Sequence, residues 1–76
     1  ARKRYITLLK EIALLEKASW SKLYKLTQAE IGKIPKPTFN QLLRKLLEAN
    51  FITKENNKYK ITDPVLQYAL KHITPH

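Results

Sequence analysis

Apolar residues at Tyr5, Leu8, Leu9, Ile12 and Leu15 recur three and four positions apart. That spacing predicts an amphipathic helix, with Lys10, Glu11 and Lys17 on its wet side. Ala18-Ser19-Trp20 interrupts the period as a short extended stretch, and Ser21 is a suitable N-cap for a second helix. The inner face of that helix is expected to hold Trp20, Leu23, Tyr24, Thr27 and Ile31. Thr27-Gln28-Ala29-Glu30 has the form of a capping box, but the apolar face continues across Thr27, so one helix is expected rather than two. Gly32, the only glycine, stands where a helix end needs positive φ.

Ile34-Pro35-Lys36-Pro37-Thr38 reads as a stiff turn, whose prolines suit a helix start and exclude a helix interior. Phe39, Leu42, Leu43, Leu46 and Asn50 then mark the inner face of a third helix, with Leu47 at its edge. Phe51-Ile52-Thr53-Lys54 and Lys58-Tyr59-Lys60-Ile61 read as strands joined through Glu55-Asn56-Asn57, where asparagine tolerates positive φ. Asp63-Pro64 is an N-cap followed by proline at the first helical position, predicting a fourth helix from Pro64 to Lys71. Val65, Leu66, Ala69 and Leu70 would return it to the core, and Thr74-Pro75-His76 would end it. The expected fold class is α+β: a winged helix-turn-helix with a three-helix core, a two-stranded β-hairpin wing and a C-terminal fourth helix. A single domain would fill residues 1–76, with 1–4 as a basic arm or linker end and 73–76 as a tail.

Composition narrows the function. Fifteen Lys and Arg against six Asp and Glu give a formal charge of +9, too unbalanced for a surface of paired charges. An anionic partner is expected, most often nucleic acid. No cysteine is present, which excludes disulfides and thiolate zinc sites. His72 and His76 flank Pro75 and cannot share a helical face, so no metal is expected. No apolar run approaches the roughly 20 residues of a membrane span, so a soluble, cytoplasmic protein with no membrane partner is expected. The chain has no methionine; either the initiator was removed or the chain is a segment of a longer protein.

Two stretches resemble a known family. Pro35-Lys36-Pro37-Thr38-Phe39-Asn40-Gln41-Leu42-Leu43-Arg44-Lys45-Leu46-Leu47-Glu48-Ala49-Asn50-Phe51-Ile52 resembles the recognition helix and first wing strand of winged-helix regulators. Lys58-Tyr59-Lys60-Ile61-Thr62-Asp63-Pro64-Val65-Leu66 is similar to the run that ends the C-terminal winged helix of archaeal P-loop ATPases. Where that family commonly has a glycine before the wing, this chain has Asn50-Phe51, and asparagine also adopts positive φ. The resemblance implies an ATPase core in the same protein, upstream of this segment, as a partner. Gly32-Lys33 is no P-loop, because Ile34 replaces Ser or Thr and both the earlier glycine and the preceding strand are missing. No cofactor is therefore expected in this domain.

Catalysis has little to work with. Ser19 and Ser21 lack a neighbouring histidine and suit capping, and the six acids are scattered beside lysines. The domain is not expected to be an enzyme. With the apolar stripe of the third helix turned inward, its other face shows Gln41, Arg44, Lys45 and Glu48, and its start adds Lys36, Thr38 and Asn40. Residues in the first half of such a helix read bases in the major groove, with Asn and Gln suited to adenine and Arg to guanine or phosphate. Lys54, Lys58 and Lys60 on the hairpin would grip phosphate, or else discourage edge-to-edge pairing. The expectation is therefore double-stranded DNA, held by the third helix and the wing. The alternative is docking onto another domain through an exposed apolar patch including Tyr5, Tyr68 and Leu70. Trp20 is expected as a core plug between the first helix and the sheet, and Tyr24, Phe39 and Tyr59 as core residues too.

Overall fold

The structure, a computed structural model, describes residues 2–72. In chain order it contains α1 (Arg2–Leu15), β1 (Ala18–Ser19), α2 (Trp20–Ile31), α3 (Lys36–Glu48), β2 (Ile52–Glu55), β3 (Lys58–Ile61) and α4 (Pro64–His72). This is the α+β winged helix that the apolar pattern predicts, with one addition. Ala18-Ser19 forms a third strand, antiparallel to β3, so the sheet order is β1-β3-β2.

The ends of these elements follow from residues with particular backbone needs. Ser19, not Ser21, caps α2: its side chain accepts a hydrogen bond from the Lys22 N–H at 3.3 Å. Ser19 sits in extended backbone because it is also in β1, which is the conformation a capping residue requires. Gly32 closes α2 at φ 95°, and its N–H reaches the Gln28 carbonyl at 2.8 Å. Beyond its end, α3 makes the paired bonds of a Schellman turn, from Asn50 N–H to Leu47 O and from Phe51 N–H to Leu46 O. Asn50 is therefore not on the inner face of the helix. It is exposed at φ 63°, in the role a glycine usually fills. Asn56 and Asn57 both have positive φ, at 50° and 63°, as a two-residue hairpin turn needs. Glu55 pairs with Lys58 across it and so belongs to the strand. Asp63 caps α4 by accepting from the Val65 N–H at 2.9 Å.

Leu8, Ile12, Leu23, Ile34, Phe39, Leu42, Leu43, Leu46, Ile52, Tyr59, Ile61 and Leu70 make one buried core. Ala13 is also fully buried, where a larger side chain would separate α1 from its neighbours. The supposed basic arm is not an arm, since Arg2, Lys3 and Arg4 form the first turn of α1. α4 contributes less to the core than expected. Leu70 is buried and Leu66 half-buried, but Val65 and Ala69 are exposed. Two polar contacts add to the packing of Leu70 and Leu66. Gln67 Nε2 donates to the Ala13 carbonyl at 2.7 Å, and Lys71 pairs with Glu16 at 2.9 Å. Glu16 takes φ 66° as α1 ends, an uncommon conformation for a non-glycine residue. The hydrogen bond and charge of Lys71 hold its carboxyl below the ordinary range. The contribution of that pair is present above the ordinary carboxyl pKa and disappears as pH falls through the lowered one. The ending expected at Thr74-Pro75-His76 lies outside the described residues.

Two substitutions test the core in opposite directions. Leu43→Ala removes a buried anchor of α3 and should cost about 2–5 kcal/mol. Thr27 is fully buried, and its hydroxyl has no hydrogen-bond partner among the described residues. Thr27→Val keeps the shape and removes the unmet group, so it should stabilise by about 1 kcal/mol or more. Urea unfolding of both variants would check the pair; a neutral Leu43→Ala or a destabilising Thr27→Val would contradict this packing.

Glu11 gives a pH-dependent test. Burial and then the Glu30 carboxylate raise its carboxyl above the ordinary value, against a smaller opposing effect of Lys10. A raised folded pKa means that the ionised form opposes folding. Stability should rise as pH falls through that raised value and stop rising below the ordinary 4.5. Glu11→Gln should therefore raise the melting temperature at pH near 7, and the gain should vanish in acid below that ordinary value.

Candidate nucleic-acid interface

The solvent face of α3 follows directly from its inner stripe. With Phe39, Leu42, Leu43 and Leu46 buried, helical spacing leaves two adjacent outer rows, Lys36-Asn40-Arg44-Glu48 and Pro37-Gln41-Lys45. All seven are exposed. The structure thus brings Lys36, Asn40, Gln41, Arg44 and Lys45 together on one face, with Glu48 as the sole acid there. Thr38 is half-buried and stands at the margin of that face. Pro35 precedes the helix without a side-chain cap, and proline occupies its first turn, so the helix start is fixed by chain stiffness.

Asn40 is not a free reader. Its Oδ1 accepts a hydrogen bond from Trp20 Nε1–H at 2.6 Å. Pairing with adenine needs that oxygen as acceptor and the Nδ2 group as donor. One lone pair of Oδ1 and both Nδ2 hydrogens remain, so the contact orients the amide without using it up. Trp20 itself is half-buried and packs between α2 and α3, not between α1 and the sheet. Its ring stacks on Tyr24 with centroids 4.9 Å apart and meets the edge of Phe39 at 5.5 Å. Tyr24 is also half-buried, and its hydroxyl donates to the Ile34 carbonyl at 2.6 Å, fixing the turn that launches α3. Phe39 and Tyr59 are buried core residues, as expected.

The hairpin lysines do not form one group. Opposed residues share a sheet face, and Lys54 is opposite Tyr59 while Thr53 is opposite Lys60 and Glu55 opposite Lys58. Lys54 therefore lies on the core side, the side of α3, with its ammonium 5.4 Å from the centre of the Tyr59 ring. Lys58 and Lys60 project from the other side. Lys58 is exposed, whereas Lys60 is half-buried and paired with Glu55 at 3.0 Å. Among the described residues no cluster of three or more His, Asp or Glu could hold a metal ion, and no helix is long and apolar enough to cross a membrane.

With this geometry in place, comparison with known proteins is decisive for the family. The family model of the MCM protein C-terminal winged helix-turn-helix domain matches residues 1–62. The chain belongs to that family. Among solved structures, a Walker-type ATPase of Pyrococcus abyssi is similar to this winged helix with a TM-score of 0.83 and 38% sequence identity, over 91% of the chain. The chain spans 19% of that ATPase. No curated protein matches it. The resemblance to winged helices of archaeal P-loop ATPases is thus borne out by a neighbour of that kind.

Three features of the winged helix have no signal in the apolar pattern: the Trp20–Asn40 bond, the Glu55–Lys60 pair and the opposite facing of Lys54. The last two follow from strand register, which the two-residue Asn56-Asn57 turn fixes. The first depends on how α2 crosses α3 and has no local signal.

Trp20→Phe keeps an aromatic ring against Tyr24 and Phe39 but removes the N–H. It should cost about 0.5–1.5 kcal/mol and collapse the distinct chemical shifts of the Asn40 side-chain amide toward those of a mobile asparagine. An unchanged amide signal in NMR spectra would show that the indole does not hold Asn40.

Proposed function

We propose that this winged helix is a duplex-DNA-binding module of a larger ATPase, and that any ATP hydrolysis belongs to other parts of that protein. The observation that carries this reading is the outer face of α3, where Lys36, Asn40, Gln41, Arg44 and Lys45 are all exposed beside a single acid. In this reading Asn40 and Gln41 meet base edges, Arg44 meets guanine or phosphate, and Lys36 and Lys45 meet the backbone. Lys54, on the same side of the sheet as α3, is the wing lysine best placed to join them. Lys58 acts from the far side of the hairpin, and Lys60 must first exchange its Glu55 partner. The +9 charge supplies the sequence-independent attraction. The similar Walker-type ATPase supports the larger context, since the winged helix corresponds to 19% of that longer chain.

Duplex DNA should bind with an affinity that falls steeply with salt, at a log–log slope of about −4 to −5 if four to six phosphates are neutralised. Lys54→Ala should flatten that slope by about one unit, and Glu55→Gln should strengthen binding by freeing Lys60. Gln41→Ala should leave the slope unchanged and reduce preference for a selected site by about 1–3 kcal/mol. Fluorescence anisotropy across a salt series checks all three. Absence of binding to any duplex at low salt would defeat the proposal.

A further inference from the structure

On the other side of the molecule, α4 leaves a lysine-rimmed groove to which α3 contributes nothing. It runs between the end of α1, the edge of β3 and α4, as a shallow groove of about 720 Å³ that is open to solvent. Leu15, Ile61, Pro64 and Tyr68 give it an apolar wall. Tyr68 is 67% exposed, with its ring against His72 at a centroid distance of 4.2 Å. Burial within the domain therefore does not account for this tyrosine.

The groove also presents backbone. β1 stops at Ala18, opposite Tyr59, so among the described residues β3 has no strand beside it on that edge beyond Tyr59. Glu55 and Lys58 flank a two-residue turn and form a hydrogen-bonded pair, and bonding alternates along an antiparallel ladder. Lys60 therefore bonds toward β2, while the N–H and C=O of Ile61 point to the vacated edge. An extended peptide adding a short strand would pair there.

The rim selects by charge. Lys17, Lys60 and Lys71 line the groove with Glu16 as the only acid. Two of these lysines already hold carboxylates, Lys71 that of Glu16 at 2.9 Å and Lys60 that of Glu55 at 3.0 Å. Exposed pairs of this kind are weak and exchange readily for an incoming carboxylate. Lys17 is exposed and forms no ion pair among the described residues.

We infer that this groove binds an acidic peptide of a partner protein in extended conformation, with an apolar side chain against Tyr68 and its carboxylates on Lys17, Lys60 and Lys71. Alternation of apolar and acidic residues is what a strand needs to face the apolar wall with one side and the lysines with the other. A nucleic-acid backbone would satisfy the lysines but leave the strand edge and the apolar wall unmatched. The inference does not depend on DNA binding by α3.

The test is selection of short random peptides displayed against the 76-residue chain, followed by synthesis of the enriched sequence and NMR titration of the isotope-labelled protein. Enrichment of Asp and Glu around an aromatic or aliphatic residue is expected, with shifts concentrated on Lys17, Lys60–Thr62 and Tyr68. Tyr68→Ala and Lys17→Glu alter exposed side chains and should each weaken the peptide by about tenfold or more, and Tyr68→Ala, which leaves the charge as it is, should do so without changing affinity for duplex DNA. Circular dichroism of both variants should match the parent, so that lost binding is read as lost contact. No enrichment, enrichment of basic peptides, or shifts falling on Gln41 and Arg44 would overturn the inference. Displacement of the peptide from the groove by duplex DNA, with DNA-induced shifts at Tyr68, would also overturn it by making this a nucleic-acid surface.

Discussion

Three rings decide how this molecule presents its third helix. Trp20 and Tyr24 lie on α2 and Phe39 on α3, with centroids 4.9–5.5 Å apart. Aromatic contacts of this kind have preferred geometries, so they fix the angle and rotation of the two helices as well as burying area. Phe39 must point inward for the cluster to form, and helical spacing then turns Asn40, Gln41, Arg44 and Lys45 outward. The same rings reach past the core. Tyr24 ties down the carbonyl of Ile34 at the start of the turn, and Trp20 holds the amide of Asn40. Packing and the candidate interface are thus two sides of one arrangement, and a change in the cluster alters both.

Much of this was legible because the chain relies on local rules. Period three-to-four in α1, α2 and α3 and proline at the starts of α3 and α4 place those helices, whereas Asn50 belongs to the turn after α3 rather than its inner face and Glu55 to β2 rather than the loop. The errors arose where one residue served two elements. Ser19 ends β1 and caps α2, so the helix begins before Ser21, and a two-residue strand is too short to announce itself in a sequence. Arg2, Lys3 and Arg4 looked like an arm because charge hid their helical propensity. Val65 and Ala69 are exposed because α4 is apolar on more faces than the domain can cover. The candidate interface was legible as a set of residues but not as an arrangement, since the facing of Lys54 and the pairing of Lys60 are properties of strand register.

The distribution of charge divides the surface. On α3, the basic residues stand beside polar groups with fixed geometry and one acid. Around α4, lysines stand beside exposed apolar side chains, with Glu16 and Glu55 already engaged. The family match at residues 1–62 stops before α4, so the first surface lies wholly within the matched residues, whereas the second combines matched residues of α1 and β3 with α4. A fold does not set a function by itself; here one small core carries two chemically different faces, and Lys60 stands at the edge of the second.

The central claim is that the outer face of α3, with the core-side edge of the hairpin, is where DNA lies. Chemical-shift mapping of the isotope-labelled chain during titration with a short duplex tests it most directly. The account predicts that the largest shifts fall on Lys36, Gln41, Arg44, Lys45 and Lys54, with Tyr68 and Lys71 unmoved. Shifts confined to α4 and the groove beside it, or spread evenly over all fifteen basic residues, would contradict it.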